Sequence, residues 1–498
     1  MAIKHLFVLM LENRSFDHMF GFADLRGPDA QTGQATHADD LIQLRDTPRW
    51  AQTANRHPDT GEAFFPRTGA PWKIYAPLRG PGHEFNDVYE QLCGHGATYQ
   101  RERGYGPITN NGFVANYLHR GRQDPGLVMR SFEPERIPVL TKLVREFAVC
   151  DRWFSSLPGP TWPNRFFVHA ATSGGLEDSP GALDIVGREV GPGFQFERGT
   201  IFDRLGDDWL VIHGDFFPQV FSLQGMLDDR LQHRFRPQRD LGQILADPNF
   251  SAKYVFIEPH YGRVYSDYGR GNSQHATDDV AAGERLIKEV YETIRGSRHW
   301  NESALVITYD EHGGFFDHVA PPAAVPPGDA DTIGSAGPNF DFSRFGVRVP
   351  AVVVSPLTRR GLIDHRVYDH TSIPATLISL FDLPPRDGRR HLTNRDASAG
   401  TFESLFSLPQ PRTDTPEELP DPPVSGYDPD LDADGDLAPD GQMDPAVRGF
   451  LLIAFQRRYG VTANMMDNPL VRRFVRISTR VQARNFFRQT ENNLGARG

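Results

Sequence analysis

Cysteine is nearly absent: two residues in 498, Cys93 and Cys150. That excludes a disulfide framework and a thiolate metal cluster. One bond between the two is an arrangement open to them; two free, buried thiols are the expected one. Long apolar runs are missing as well. None approaches the roughly 18 residues a bilayer-spanning helix needs, and the longest late run, residues 450–455, is far too short. Positive charge is in deficit: 53 Lys and Arg against 64 Asp and Glu, a net charge of −11. This balance excludes a general nucleic-acid binder. It leaves room for an anionic substrate, because a bound cation reverses the local sign. The first residues, Met1-Ala-Ile-Lys-His-Leu, carry no signal-peptide pattern. With Met1 as the native start the expected location is cytoplasmic; with an export signal removed it is periplasmic or secreted.

Apolar residues make up 39% of the chain and aromatics 11%, the composition of a folded protein. Short apolar runs at 5–11, 209–212, 253–257, 304–308 and 350–354 read as strands of a sheet covered on both faces. Helical patterns lie between them. Over 280–294 the residues Val280, Ile287, Val290, Tyr291 and Ile294 form one apolar stripe, preceded by the capping run Thr277-Asp278-Asp279. A second pattern spans 371–381. Alternation of this kind predicts an α/β fold, whose ligands sit beyond the carboxyl ends of the strands. Residues 24–80 and 95–135, rich in Gly, Pro and charge, read as excursions that wall a pocket. Residues 409–445 hold nine prolines and nine aspartates and read as a linker or extended wrap. Two helical patterns follow, at 444–459 and 467–488. The second carries Arg472, Arg473, Arg476, Arg480, Arg484 and Arg488. Such a helix suits a membrane surface or lipid headgroup, but packing on the acidic body is expected.

The tract Gly159-Pro160-Thr161-Trp162-Pro163-Asn164-Arg165 places a hydroxyl at the start of a helix. Pro163 suits a first turn, and Gly174-Gly175 reads as the stop. Thr161 then lies where unpaired N–H groups and the positive dipole end attract an anion, so a nucleophile toward phosphate or sulfate is expected. Glu12 and Asn13 end the first strand, and Asp310 and Glu311 end the 304–308 strand. Oxygen ligands at two strand ends on one edge converge on a hard divalent cation if the backbone turns there, which Gly313-Gly314 permits. An oxygen shell favours calcium, magnesium or manganese; entry of histidine favours zinc or iron. His213 and His275 border this edge as candidate acid–base groups. Arg165 serves either the phosphate oxygens or a helix-side ion pair. Four Asp-His dipeptides, at 17–18, 317–318, 364–365 and 369–370, receive no chemistry, although Asp317-His318 stays a candidate through its closeness to Asp310.

The segments Glu12-Asn13-Arg14-Ser15-Phe16-Asp17-His18, Pro160-Thr161-Trp162-Pro163-Asn164-Arg165 and Tyr309-Asp310-Glu311-His312-Gly313-Gly314-Phe315-Phe316-Asp317-His318 resemble, in order, motifs of the bacterial phosphoesterase family. That family includes phospholipases C and an acid phosphatase and belongs to the alkaline-phosphatase superfamily. The resemblance covers about residues 3 to 408. It implies a three-layer α/β sandwich with a mostly parallel sheet in a catalytic domain 1–408; composition and pattern add a 409–443 linker or wrap and a 444–498 helical segment. It also implies that Glu12, Asn13, Asp310 and Glu311 hold the metal, with Thr161 as ligand and nucleophile, and that the site contains histidines, with His83, His213 and His275 in about the right places. The expected reaction is hydrolysis of phosphate mono- or diesters, a phospholipid headgroup among them, through a phosphothreonine. Two alternatives stand beside it. A sulfatase shares the spacing of Thr161, Pro163 and Arg165, but oxidation of a threonine would give a ketone rather than the sulfatase aldehyde. A non-catalytic calcium-binding protein would use Asp430-Leu-Asp432-Ala-Asp434-Gly435-Asp436, where Gly441 stands in place of the bidentate Glu.

Overall fold

The computed structural model describes residues 2–74, 80–180, 193–215, 218–226, 228–261, 271–335 and 337–425, with residues 477, 482 and 486 beyond them. At its centre is an eight-stranded sheet. Its strands are β1 (His5–Leu11), β2 (Ala148–Cys150), β3 (Trp209–His213), β4 (Phe235–Pro237), β5 (Tyr254–Glu258), β6 (Ser303–Tyr309), β7 (Ala351–Val354) and β8 (Leu362–Asp364). They lie in the order β4-β3-β5-β1-β6-β7-β2-β8. Every pairing is parallel except the two made by β7. All seven residues of β1 and of β6 are buried, so both faces of the sheet are covered there. This is why these strands read as unbroken apolar runs rather than alternating ones.

The helices that matter for the site are α1 (Phe16–Phe20), α2 (Phe85–Cys93), α3 (Phe113–His119), α4 (Pro138–Glu146), α5 (Thr161–Ala170), α6 (Val280–Arg295) and α7 (Ser372–Leu380). α4 packs on α6, and α5 on α7. Asp279 caps α6 by accepting from the Ala281 N–H. The end of α5 differs from expectation: Ala171 takes the left-handed turn at φ +56° and closes the helix. Gly174, three residues later, instead accepts from the N–H groups of Ile333 and Gly334 and anchors a distant loop. Residues 95–135, expected as an excursion, contain α3.

Both cysteines are free. Past residue 408 the chain runs along α6. Tyr291 donates its hydroxyl to the Pro416 carbonyl at 2.6 Å, the Leu419 N–H donates to Glu292 at 2.7 Å, and Ser425 donates to Asp279 at 2.7 Å. The acidic run from Asp430 and the two helical patterns after it lie outside the described residues, apart from residues 477, 482 and 486. Among the described residues no helix is long and apolar enough to cross a membrane.

Candidate active site

Parallel pairing of β1 with β6 sets Leu11 opposite Tyr309. Glu12 and Asp310 therefore leave the sheet side by side at the carboxyl edge. Asn13 turns the chain there in the left-handed region, φ +59°, which its short amide tolerates. The turn aims the Asn13 N–H at Asp310 Oδ1, 3.1 Å away, and the Glu311 N–H donates to the same oxygen at 2.8 Å. Gly313, at φ +66°, completes the arrangement: a Cβ on it would lie 2.3 Å from the Asn13 carbonyl oxygen.

α5 opens at this edge. Thr161 Oγ1 donates to Asn13 Oδ1 at 3.4 Å. One turn on, Arg165 donates from Nε to Asp310 Oδ2 at 2.9 Å, and its Nη2 stands 3.9 Å from Glu12 Oε1. Burial by itself would lower the guanidinium, but Tyr261, Asp310 and Glu12 hold it above its ordinary value. Glu12, Asn13, Thr161, Arg165, Asp310 and Glu311 are all buried. Their donor types fit a hard divalent cation. Two further buried groups, Asn13 Nδ2 and Arg165 Nη1, have no hydrogen-bond partner among the described residues. Buried donors of this kind call for an acceptor.

The histidines divide. The Glu12 N–H donates to the Ser273 carbonyl, and Arg14 donates to the Gln274 and His275 carbonyls, so segment 273–275 runs beside residues 12–14. His275 Nδ1 accepts from the Thr277 N–H at 3.2 Å, which places its proton on Nε2. His83 meets His275 edge to face, ring centres 6.1 Å apart. His213 ends β3, two strands from β1, and its Nδ1 donates to the Asp215 carbonyl at 2.5 Å. Burial holds His213 below its ordinary value.

Three further groups stand at this edge, and of their residues only Asp317-His318 is a candidate from the sequence. His370 Nε2 donates to the Asp310 carbonyl at 2.6 Å, fixing that residue's backbone. His312, pushed down to about 3 by burial, donates to Gln91 Oε1 at 2.8 Å. The third is a charge network. Arg348 donates to Asp317 at 2.9 Å and to Asp17 at 3.1 Å, while His318 bonds Asp17 at 2.7 Å and Asp39 at 3.2 Å. It joins the stretches after Asn13 and after Glu311, and the Asp-His spacing was its signal. Asp17, Asp317 and His318 bring three ligand-type atoms within 4.8 Å of one another, as do Glu90, His95 and His119. In the first group Arg348 already neutralises the carboxylates. Groups able to hold a divalent cation are thus present in more than one place.

Known proteins are similar to this chain in sequence over most of its length. Non-specific phospholipase C3 of Arabidopsis thaliana is 35% identical, covering 84% of this chain and 76% of its own. Non-specific phospholipase C6 of the same plant is 37% identical over 86% and 78%. Phospholipase C B of Mycobacterium tuberculosis is 27% identical over 84% and 80%. A solved structure of an alkaline-phosphatase-superfamily protein from Vibrio parahaemolyticus overlaps 54% of this chain and 65% of its own at 13% identity, with a TM-score of 0.29, too slight to bear on the site. Fold and relatives together define a hydrolase of phosphoric ester bonds. The chain belongs to the phosphoesterase family, whose model matches residues 3–221 and 247–384. Phosphoester hydrolysis therefore stands over the sulfatase-like and non-catalytic readings.

Proposed function

We propose that this hydrolase is a cation-assisted phospholipase of the C type, cleaving the phosphate diester of a phospholipid headgroup with Thr161 as nucleophile. The observation that supports it is the pairing of Thr161 Oγ1 with Asn13 at the mouth of α5, beside the Arg165–Asp310 ion pair. Glu12, Asn13, Thr161, Asp310 and Glu311 would hold the cation. A divalent cation there supplies Lewis acidity, lowering a hydroxyl's pKa and neutralising phosphate charge. Thr161 Oγ attacks phosphorus in line, the bond from phosphorus to the leaving alkoxide breaks, and a phosphothreonine forms. Asn13 Nδ2, Arg165 Nη1 and the first N–H groups of α5 donate to the non-bridging oxygens. The Thr161 proton passes to solvent, the leaving alkoxide takes a proton from water, and His275, with its proton on Nε2 and His83 against it, donates a hydrogen bond to the leaving oxygen. Water then cleaves the phosphothreonine. The relatives named phospholipase C favour a lipid diester over a monoester.

The test is Thr161→Ala, assayed on phosphatidylcholine, an aryl phosphate and a bis-aryl phosphate, each after chelation and re-addition of calcium, magnesium, manganese or zinc. Turnover of the lipid is expected to vanish while circular dichroism and thermal midpoint stay those of the parent. Near-normal turnover would remove Thr161 from the mechanism, and activity that survives chelation would remove the cation.

A further inference from the structure

The glutamate and two histidines where α2 and α3 end belong to no step above. Glu90 lies in the last turn of α2 and is buried. Gly94, at φ +107°, and Gly96, at φ +71°, bracket His95 in the turn that follows and bring it back over Glu90. His119 is the last residue of α3. His119 Nδ1 lies 3.0 Å and His95 Nδ1 3.4 Å from the same oxygen, Glu90 Oε1. The two rings stand 4.8 Å apart, tilted by 49°. We propose that Glu90, His95 and His119 form a second metal site, for a borderline divalent cation such as zinc, separate from the catalytic edge.

Three features support it. A tetrahedral ion with bonds of ~2.0–2.1 Å sets its ligand atoms ~3.4 Å apart, close to the two nitrogen–oxygen separations already present. The carboxylate is held ready: the Gly96 N–H donates to Oε1 at 2.8 Å and Asn116 Nδ2 to Oε2 at 3.0 Å, the kind of supporting shell that orients metal ligands. Burial pushes the Glu90 carboxyl up, but these donors and His119 outweigh it and keep the group ionised. The imidazoles are about half exposed, 52% and 47%, so an ion can enter and keep water in its remaining positions. Two nitrogens and one oxygen select zinc, copper or nickel over magnesium or calcium. An ion here would tie the end of α2 to the end of α3. The residue after Glu90, Gln91, donates to the Gly82 carbonyl beside His83, so the clamp would brace one wall of the active site.

The experiment is zinc titration of the full chain after chelation, comparing the parent with a His95→Ala/His119→Ala double variant, read by calorimetry and by visible absorption on replacing zinc with cobalt. The parent is expected to bind one equivalent more than the double variant and to show tetrahedral cobalt bands that the variant lacks. Phospholipid turnover with the catalytic cation is expected to be the same in both, so failure here and failure of the catalytic reading remain distinguishable. Should the double variant fold poorly, His119→Gln alone is expected to weaken zinc at least about tenfold. Equal equivalents in parent and double variant, or unchanged affinity in His119→Gln, would overturn the proposal and leave a hydrogen-bonded histidine pair.

Discussion

At φ +59° Asn13 occupies backbone space where an amide or a glycine is tolerated and a branched side chain is not. Its N–H fixes Asp310, its Oδ1 receives the Thr161 hydroxyl, and its Nδ2 is left to donate. Backbone and side chain can be separated experimentally, because glycine adopts the same turn without strain. Asn13→Gly keeps the N–H bond to Asp310 and deletes the amide. Catalysis is expected to fall about 10²–10³-fold, the usual cost of one preorganised donor at a reacting oxyanion. Folding free energy from urea denaturation is expected to shift by less than ~1 kcal/mol, since the lost bond to Thr161 is long. A variant that turns over normally would show that the Asn13 amide meets neither Thr161 nor substrate in the working enzyme. A variant that unfolds would show that its role is structural.

Among the elements, Glu284 does more than its place in α6 suggests. It faces the start of α4 and accepts from the N–H groups of Val139 at 2.7 Å and Leu140 at 3.1 Å, satisfying donors the helix leaves open. Burial pushes its carboxyl up to about 8 against an ordinary 4.5, although the two N–H donors oppose this. The folded protein therefore keeps a proton that the unfolded chain has released. Between about pH 4.5 and 8 this group makes stability fall as pH rises, by up to ~1.4 kcal/mol per unit. Glu284→Gln is expected to remove that slope while keeping an acceptor at α4, and pH-dependent urea denaturation of the pair checks it. None of this was legible in the sequence, where Glu284 is one more polar residue in an amphipathic helix. What was legible shares one cause. Strands covered on both faces must be apolar throughout, so β1, β3, β5, β6 and β7 stood out within a residue or two, and the polar residues ending β1 and β6 drew attention to the edge where the candidate site lies. β2, β4 and β8, each three residues long, are too short for a pattern to form. The place of Thr161 at a helix start was legible because Pro163 announces a first turn. The Arg165–Asp310 pair and the bond from His370 to the Asp310 carbonyl were not, because contacts spanning 145 and 60 residues leave no local mark.

Over the whole molecule, the parts of the site come from distant stretches of chain, so something must hold those stretches in register. Asp17 lies in the first motif and Asp39 beyond it, Asp317 and His318 end the third, and Arg348 precedes β7. The Arg348 guanidinium also donates to the carbonyls of Asp39 and Asp151, which ties β2 into the same knot. Burial works against charge on His318, but Asp17 and Asp39 overcome it and raise the imidazole to about 9 from an ordinary 6.5. Asp39 moves the other way: burial would raise it, yet His318 and Arg348 hold it well below the usual carboxylate range. The signs then follow. The His318 contribution is fully present below about pH 6.5 and is lost as pH rises through about 9. The Asp39 contribution is present above its ordinary 3.8 and is lost on strong acidification. These two contributions together are largest between about pH 4 and 6.5. With His318 almost fully buried, the upper limb amounts to ~3 kcal/mol. His318→Gln, which retains a hydrogen-bonding end but no titration, is expected to lose most of that stability at pH 6 and little at pH 9.5. The parent and variant denaturation curves would then converge as pH rises. Curves that stay parallel from pH 6 to 9.5 would mean that His318 carries no proton in the folded state and that Arg348 alone offsets the three aspartates.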